Sequence, residues 1–139
     1  MLTKIGTVLA VVGALFIGYI GVSYLVAPQS MAPDFGLPSW PQGEGAGFLA
    51  VKGIRDVVSG LVILAITLTG NRRVLGWAML AIALTPVGDM LLVLLSGGTP
   101  AIAFGVHGAT AAMVALTGGL LLSGPRPKPA TSFTTPLVS

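Results

Sequence analysis

Residues 46–69 read AGFLAVKGIRDVVSGLVILAITLT, an apolar run interrupted by Lys52, Arg55 and Asp56. The run is as long as a helix must be to cross a hydrocarbon layer about 30 Å thick. Its three charges stand at i, i+3 and i+4, which puts them on one helical face. Each charge at the centre of a membrane helix costs about 2.5–3.5 kcal/mol on the insertion scale, so this face must meet protein or water and not lipid. A helix of this kind needs neighbours.

Three further runs supply them, at about 5–27, 74–95 and 100–123. The expected fold is therefore an all-α, four-transmembrane-helix bundle forming a single domain over residues 1–123. Composition agrees: 54% of the 139 residues are hydrophobic and 8% charged, against about 25% charged in soluble domains. The mean hydropathy is +0.96. The chain reads as an integral, multi-pass membrane protein. A cleaved signal peptide is the alternative for the first run, but its apolar core exceeds the usual length of about 7–15 residues and Val26-Ala27-Pro28 is a poor cleavage site.

Lys4 precedes the first run, Arg72 and Arg73 occupy the turn between the second and third, and Arg126 and Lys128 follow the fourth. The connections 28–45 and 96–99 carry no Lys or Arg. By the positive-inside rule both termini are cytoplasmic and 28–45 lies on the opposite side. That loop holds Pro28, Pro33, Pro38 and Pro41 with Gly36, Gly43 and Gly45, so it is expected to lack regular helix or strand and to serve as a lid. Residues 124–139, rich in Pro and Thr, are expected to be a disordered cytoplasmic tail. Small residues recur four apart at Ala10, Ala14 and Gly18, and again at Gly105 with Ala109, Ala111 with Ala115, and Ala115 with Gly119. Such stripes let membrane helices approach closely, within one bundle or between copies, so a homo-oligomer is among the expected assemblies.

Loops and ends account for seven of the eleven charges, leaving Lys52, Arg55, Asp56 and Asp89 inside spans together with His107. Counted from the loop-side ends of their spans they lie six to ten residues in, or about 9–15 Å at 1.5 Å per residue, in one layer. Pro86, one turn before Asp89, lacks an N–H and displaces the carbonyl of Ile82, which predicts a kink below the layer. Tyr19 and Ser23 bring hydroxyls to a similar depth, and Glu44 lies just above. Trp77, Tyr24 and Trp40 read as anchors at the membrane interface.

Much chemistry is excluded. Cysteine is absent, which removes disulfides, thiolate nucleophiles and cysteine-ligated metals. No phosphate loop, dinucleotide fingerprint, H-E-x-x-H pair or G-x-S-x-G elbow occurs. Lys52 and Arg55 oppose a divalent cation beside the carboxylates, so neither metal nor other cofactor is expected. The scattered cations do not make a nucleic-acid face. What remains is proton movement. The leading expectation is a membrane-embedded acid–base enzyme, an isomerase or cyclase, acting on a lipophilic small molecule that enters from the surrounding lipids. Asp89, His107 and Asp56 are the candidate catalytic groups; Arg55, Lys52, Glu44 and Tyr19 are the candidate substrate-binding or electrostatic groups. Two other readings stay open: a proton- or ion-coupled carrier or channel subunit, and a structural accessory protein in which Arg55–Asp89 and Lys52–Asp56 pairs clasp the helices.

The strings Gly47-Phe48, Lys52-Gly53-Ile54-Arg55-Asp56, Gly60-Leu61, Pro86-Val87-Gly88-Asp89 and His107-Gly108 together resemble an uncharacterised family of small four-span membrane proteins, a domain of unknown function from fungi and bacteria. The resemblance covers about residues 5–123, and K-G-x-R-D is its most specific piece. It implies a topology and no activity.

Overall fold

The computed structural model describes residues 1–124; the expected tail, from 125 onward, lies outside them. The described residues form helices and turns without a strand. Four long helices dominate: α1 (Leu2–Val26), α2 (Gly47–Leu68), α3 (Arg72–Leu95) and α4 (Pro100–Leu122). Of these, α1, α3 and α4 are long and apolar enough to cross a membrane. α2 has comparable length, 22 residues, but carries Lys52, Arg55 and Asp56.

α3 starts earlier than its hydropathy suggests. Arg72 and Arg73 belong to its first turn and not to the connection, because the Asn71 side chain accepts a hydrogen bond from the Val74 N–H (3.2 Å) and caps the helix there. The helix is interrupted at Ala83, next to Ile82, the residue whose carbonyl Pro86 leaves without its helical donor. α4 is interrupted differently: Ala103–Gly108 is wound as π-helix, one extra residue per turn.

Helices approach through glycine. A Cβ on Gly53 would stand 2.8 Å from the Gly21 carbonyl oxygen, and one on Gly21 would stand 2.6 Å from that of Gly53, so α1 and α2 touch backbone to backbone. Gly76 and Gly118 make the same kind of reciprocal contact between α3 and α4. Ala10 and Ala14 of the expected stripe are buried between helices, as is Ala111, whereas a Cβ on Gly18, Gly105 or Gly119 would meet nothing. Toward the end bearing Arg72 and Arg73 (the arginine end), Ala10, Ala14, Ile63, Leu75, Met79 and Leu121 close into an apolar core.

The opposite, loop end is built otherwise. Residues 28–45 are not without helix: they contain one α-helical turn, Pro28–Met31, and a 3-10 turn, Pro33–Phe35, and a second 3-10 turn, Gly43–Ala46, leads into α2. Proline stands at the start of the first two, where its fixed φ suits a helix and its missing N–H costs nothing. The loop is tied down. Tyr24 donates its hydroxyl to the Met31 carbonyl (3.1 Å), Trp40 Nε1 donates to Gln29 Oε1 (3.0 Å), and the Thr99 N–H donates to the Gly36 carbonyl (3.0 Å). Gly36 has φ +92° and a Cβ there would meet Ile102, while a Cβ on Gly98 would strike the Gly36 carbonyl oxygen. Tyr24, only 3% exposed, is thus a prop beneath the loop and not an interface anchor. Trp40 is likewise half-buried and bonded within the loop, while Trp77 is 61% exposed.

Candidate functional site

The face of α2 that carries Lys52 and Asp56 is held toward the bundle because Gly53 and Gly60, two turns apart on the adjoining stripe, both contact α1. Below the break at Ala83, α2 and α3 pack together; above it they part. The result is a cleft of about 740 Å³, with Phe48, Lys52, Arg55 and Asp56 on one wall, Thr85 and Asp89 on the other, and Phe35 of the loop at its head.

Within it the charges separate into distinct arrangements. Lys52 Nζ lies 2.5 Å from Asp56 Oδ2. The same ammonium sits 4.5 Å from the centroid of the Tyr24 ring and 5.5 Å from that of Phe35, so its charge meets a carboxylate and two aromatic faces. Asp56 is buried. Arg55, one helical turn from Lys52, is exposed, and its guanidinium has no ion-pair partner among the described residues. The Lys52–Asp56 half of the expected clasp is present; the Arg55–Asp89 half is not, because α2 and α3 diverge where it would have to form.

Asp89 looks to α4 instead. Its Oδ2 is 3.9 Å from His107 Nδ1, an ion-pair separation longer than a direct hydrogen bond. The π turns deliver His107 to this position, where it is 8% exposed and does not line the cleft. His107 Nε2 lies 2.9 Å from the Phe35 carbonyl oxygen. A carbonyl can only accept, so Nε2 carries the hydrogen, and in the neutral ring Nδ1 presents its lone pair toward Asp89. The Phe35 ring covers the imidazole with centroids 4.7 Å apart.

Five of the seven predicted site residues thus gather around one cleft: Lys52, Arg55, Asp56 and Asp89 in its walls and His107 behind Asp89. Tyr19 and Glu44 do not. Tyr19 is 67% exposed on the far side of α1, one helical turn and a fraction out of phase with Tyr24. Glu44 is exposed in the 3-10 turn before α2 and does not reach the cleft. Sequence reasoning missed Phe35, which contributes its carbonyl to His107 and its ring to Lys52; an aromatic residue inside a proline-rich loop gave no periodic signal to find it by. Among the described residues no three His, Asp or Glu side chains converge to hold a metal ion.

Residues 14–121 match the sequence pattern of a domain of unknown function (DUF4267). The chain belongs to this family. The DUF4267 match begins within α1 and ends within α4, so it takes in the whole charged layer, and it bears out the resemblance to an uncharacterised family drawn from K-G-x-R-D and its companions. No curated protein and no solved structure matches the chain. For this member of DUF4267 the chemistry must therefore be argued from the side chains. A shielded carboxylate backed by an imidazole nitrogen can take up and release a proton; the neighbouring cations make the cleft hospitable to negative charge.

Proposed function

We propose that the chain crosses the membrane four times with both termini cytoplasmic, and that its cleft performs acid–base isomerisation or cyclisation of a lipophilic small molecule. Support for the topology comes from α2, whose 22 residues reach about 33 Å, and from Lys4, Arg72 and Arg73 lying at one end of the bundle while 28–45 lacks Lys and Arg. The charges of α2 do not argue against a span, since Lys52 and Asp56 neutralise each other and Arg55 opens onto the cleft.

The observation that carries the catalytic reading is Asp89 in the cleft wall with His107 Nδ1 directed at it from behind. In a double-bond shift, the Asp89 carboxylate takes a proton from the carbon beside a substrate carbonyl. The electron pair of that C–H bond moves into the substrate's π system and places negative charge on the carbonyl oxygen. Asp89 then returns the proton to the γ carbon. Substrate and product have the same composition, so no electron donor or acceptor is needed. The transient anion is stabilised by the cation of Lys52, which Asp56 and the two aromatic rings hold in place. His107 does not touch substrate; with Nδ1 3.9 Å from Asp89 Oδ2 it is a positioning residue behind the carboxylate.

The carrier reading has less support. Among the described residues, the ionisable side chains toward the arginine end are Lys4, Arg72 and Arg73, all at helix ends, which leaves no proton relay across the bundle. The clasp reading lacks its Arg55–Asp89 pair.

The test is exchange and isomerisation of a lipophilic β,γ-unsaturated ketone by the purified protein in D₂O. Asp89→Asn preserves side-chain volume but cannot carry the proton, so deuterium incorporation and the double-bond shift should fall by about 10²-fold or more while the bundle stays folded. Undiminished conversion by well-folded Asp89→Asn would remove the assigned role.

A further inference from the structure

Arg55 has no task in the proton transfer. Around it, Lys52 is spoken for by Asp56 and Asp89 faces His107. The guanidinium is left without a counter-ion among the described residues. It stands eight residues into α2 from Gly47, about 12 Å along the axis. Arg55 is an exposed part of the cleft wall, and helical side chains lean toward their N-terminus, here the loop end. Its exposure suits it poorly for stabilising a transient charge, a task that needs a water-excluded donor. A planar fork of N–H groups on an exposed wall does suit permanent recognition of a carboxylate or phosphate.

The walls beside it complete the pattern. Phe48, Val51, Ile54 and Val58 line the same cleft and are each about half exposed or more, an apolar bed around Arg55, the cleft cation that has no carboxylate partner among the described residues. The cleft volume of about 740 Å³ is within the range of about 300–1,000 Å³ usual for small-molecule sites. We infer that the ligand of this cleft is an anionic amphiphile, with a carboxylate or phosphate head bound by Arg55 and an apolar body lying on Phe48, Val51, Ile54 and Val58. This rests on the reading of the cleft as a site for a lipophilic substrate and names the substrate's class.

Binding can be measured without turnover. Purified protein in phosphatidylcholine nanodiscs is loaded with radiolabelled palmitate, which is then displaced by unlabelled palmitate, hexadecyl phosphate or 1-hexadecanol. Both anions should compete at concentrations about tenfold or more below that of the neutral alcohol. Arg55→Gln should abolish that difference, Arg55→Lys should keep part of it, and Arg73→Gln, which alters net charge equally at the arginine end, should leave it intact. Equal competition by acid and alcohol in the wild type, or a preference that survives Arg55→Gln, would overturn the inference. Inorganic phosphate competing as well as hexadecyl phosphate would reassign the site to a free anion, and loss of palmitate binding in phosphatidylglycerol nanodiscs would reassign it to bulk lipid headgroups; either result also overturns it. Isotope exchange dependent on Asp89 with no preference for anions would sink this inference alone. A preference for anions without exchange would sink only the catalytic reading.

Discussion

The two ends of the bundle solve the packing problem in opposite ways. At the arginine end, Ala10, Ala14, Ile63, Leu75, Met79 and Leu121 fill the interior with apolar atoms, and Gly76 meets Gly118 backbone to backbone. At the loop end, α2 and α3 part above Ala83, charged groups line the gap, and a loop anchored on Tyr24, Thr99 and His107 closes the head. In lipid, where apolar contact between helices has little hydrophobic advantage over contact with acyl chains, tight packing must hold the bundle. The loop end is packed as well, through Gly21 against Gly53 and around Tyr24, Ala32 and Leu49, but its interior also admits charged groups. The difference teaches that the break at Ala83 separates an end filled by apolar atoms alone from an end whose interior also holds charge.

The largest effect expected from this contrast is all-or-none and tests which end faces which side. The chain has no cysteine to interfere, so Ser39→Cys in the exposed loop should react with an impermeant thiol reagent from the side opposite the cytoplasm, and Ser123→Cys, at the other end, only from the cytoplasmic side. Labelling of Ser39→Cys solely from the cytoplasm would invert the topology.

Next in size is damage to the stabilising end. Leu121 is fully buried in the apolar core, and Leu121→Ala leaves a cavity that should cost about 2–5 kcal/mol of stability. A thermal or denaturant titration in detergent should show it, whereas Asp89→Asn should leave the same transition nearly unmoved. If Asp89→Asn proved as destabilising as Leu121→Ala, the loop end would be as structural as the other and the division would fail.

The smallest effect is local. His107→Ala removes the hydrogen bond to the Phe35 carbonyl, a loss of about 0.5–1.5 kcal/mol. That energy belongs to the loop and not to the core, so hydrogen exchange at the Gly36 and Thr99 amides should accelerate by up to about tenfold with little change at Leu75 or Met79. Uniform acceleration at both ends would show that His107 supports the whole bundle.

Some of this was decided by the sequence alone. In lipid every backbone N–H and C=O must be satisfied within its own segment, so apolar runs of about twenty residues can only be helices. The constant rise per residue likewise brings Lys52, Asp56, Asp89 and His107 to one depth, and Pro86 must disturb α3 wherever its neighbours lie. Rotation about each helix axis was not decided there. α1 is apolar on every side, so nothing in its composition says that Tyr24 turns inward and Tyr19 outward; the Gly21–Gly53 contact chooses. The i,i+4 spacing already pairs Lys52 with Asp56, yet only the divergence of α3 from α2 leaves Arg55 without Asp89 as a partner. His107 depends on π winding that no hydropathy pattern encodes, and Phe35 on a loop whose position is set by hydrogen bonds to Tyr24, Thr99 and His107. The bilayer dictates length and depth through one segment at a time. Orientation and partnership are properties of several segments together, and only their packing settles them.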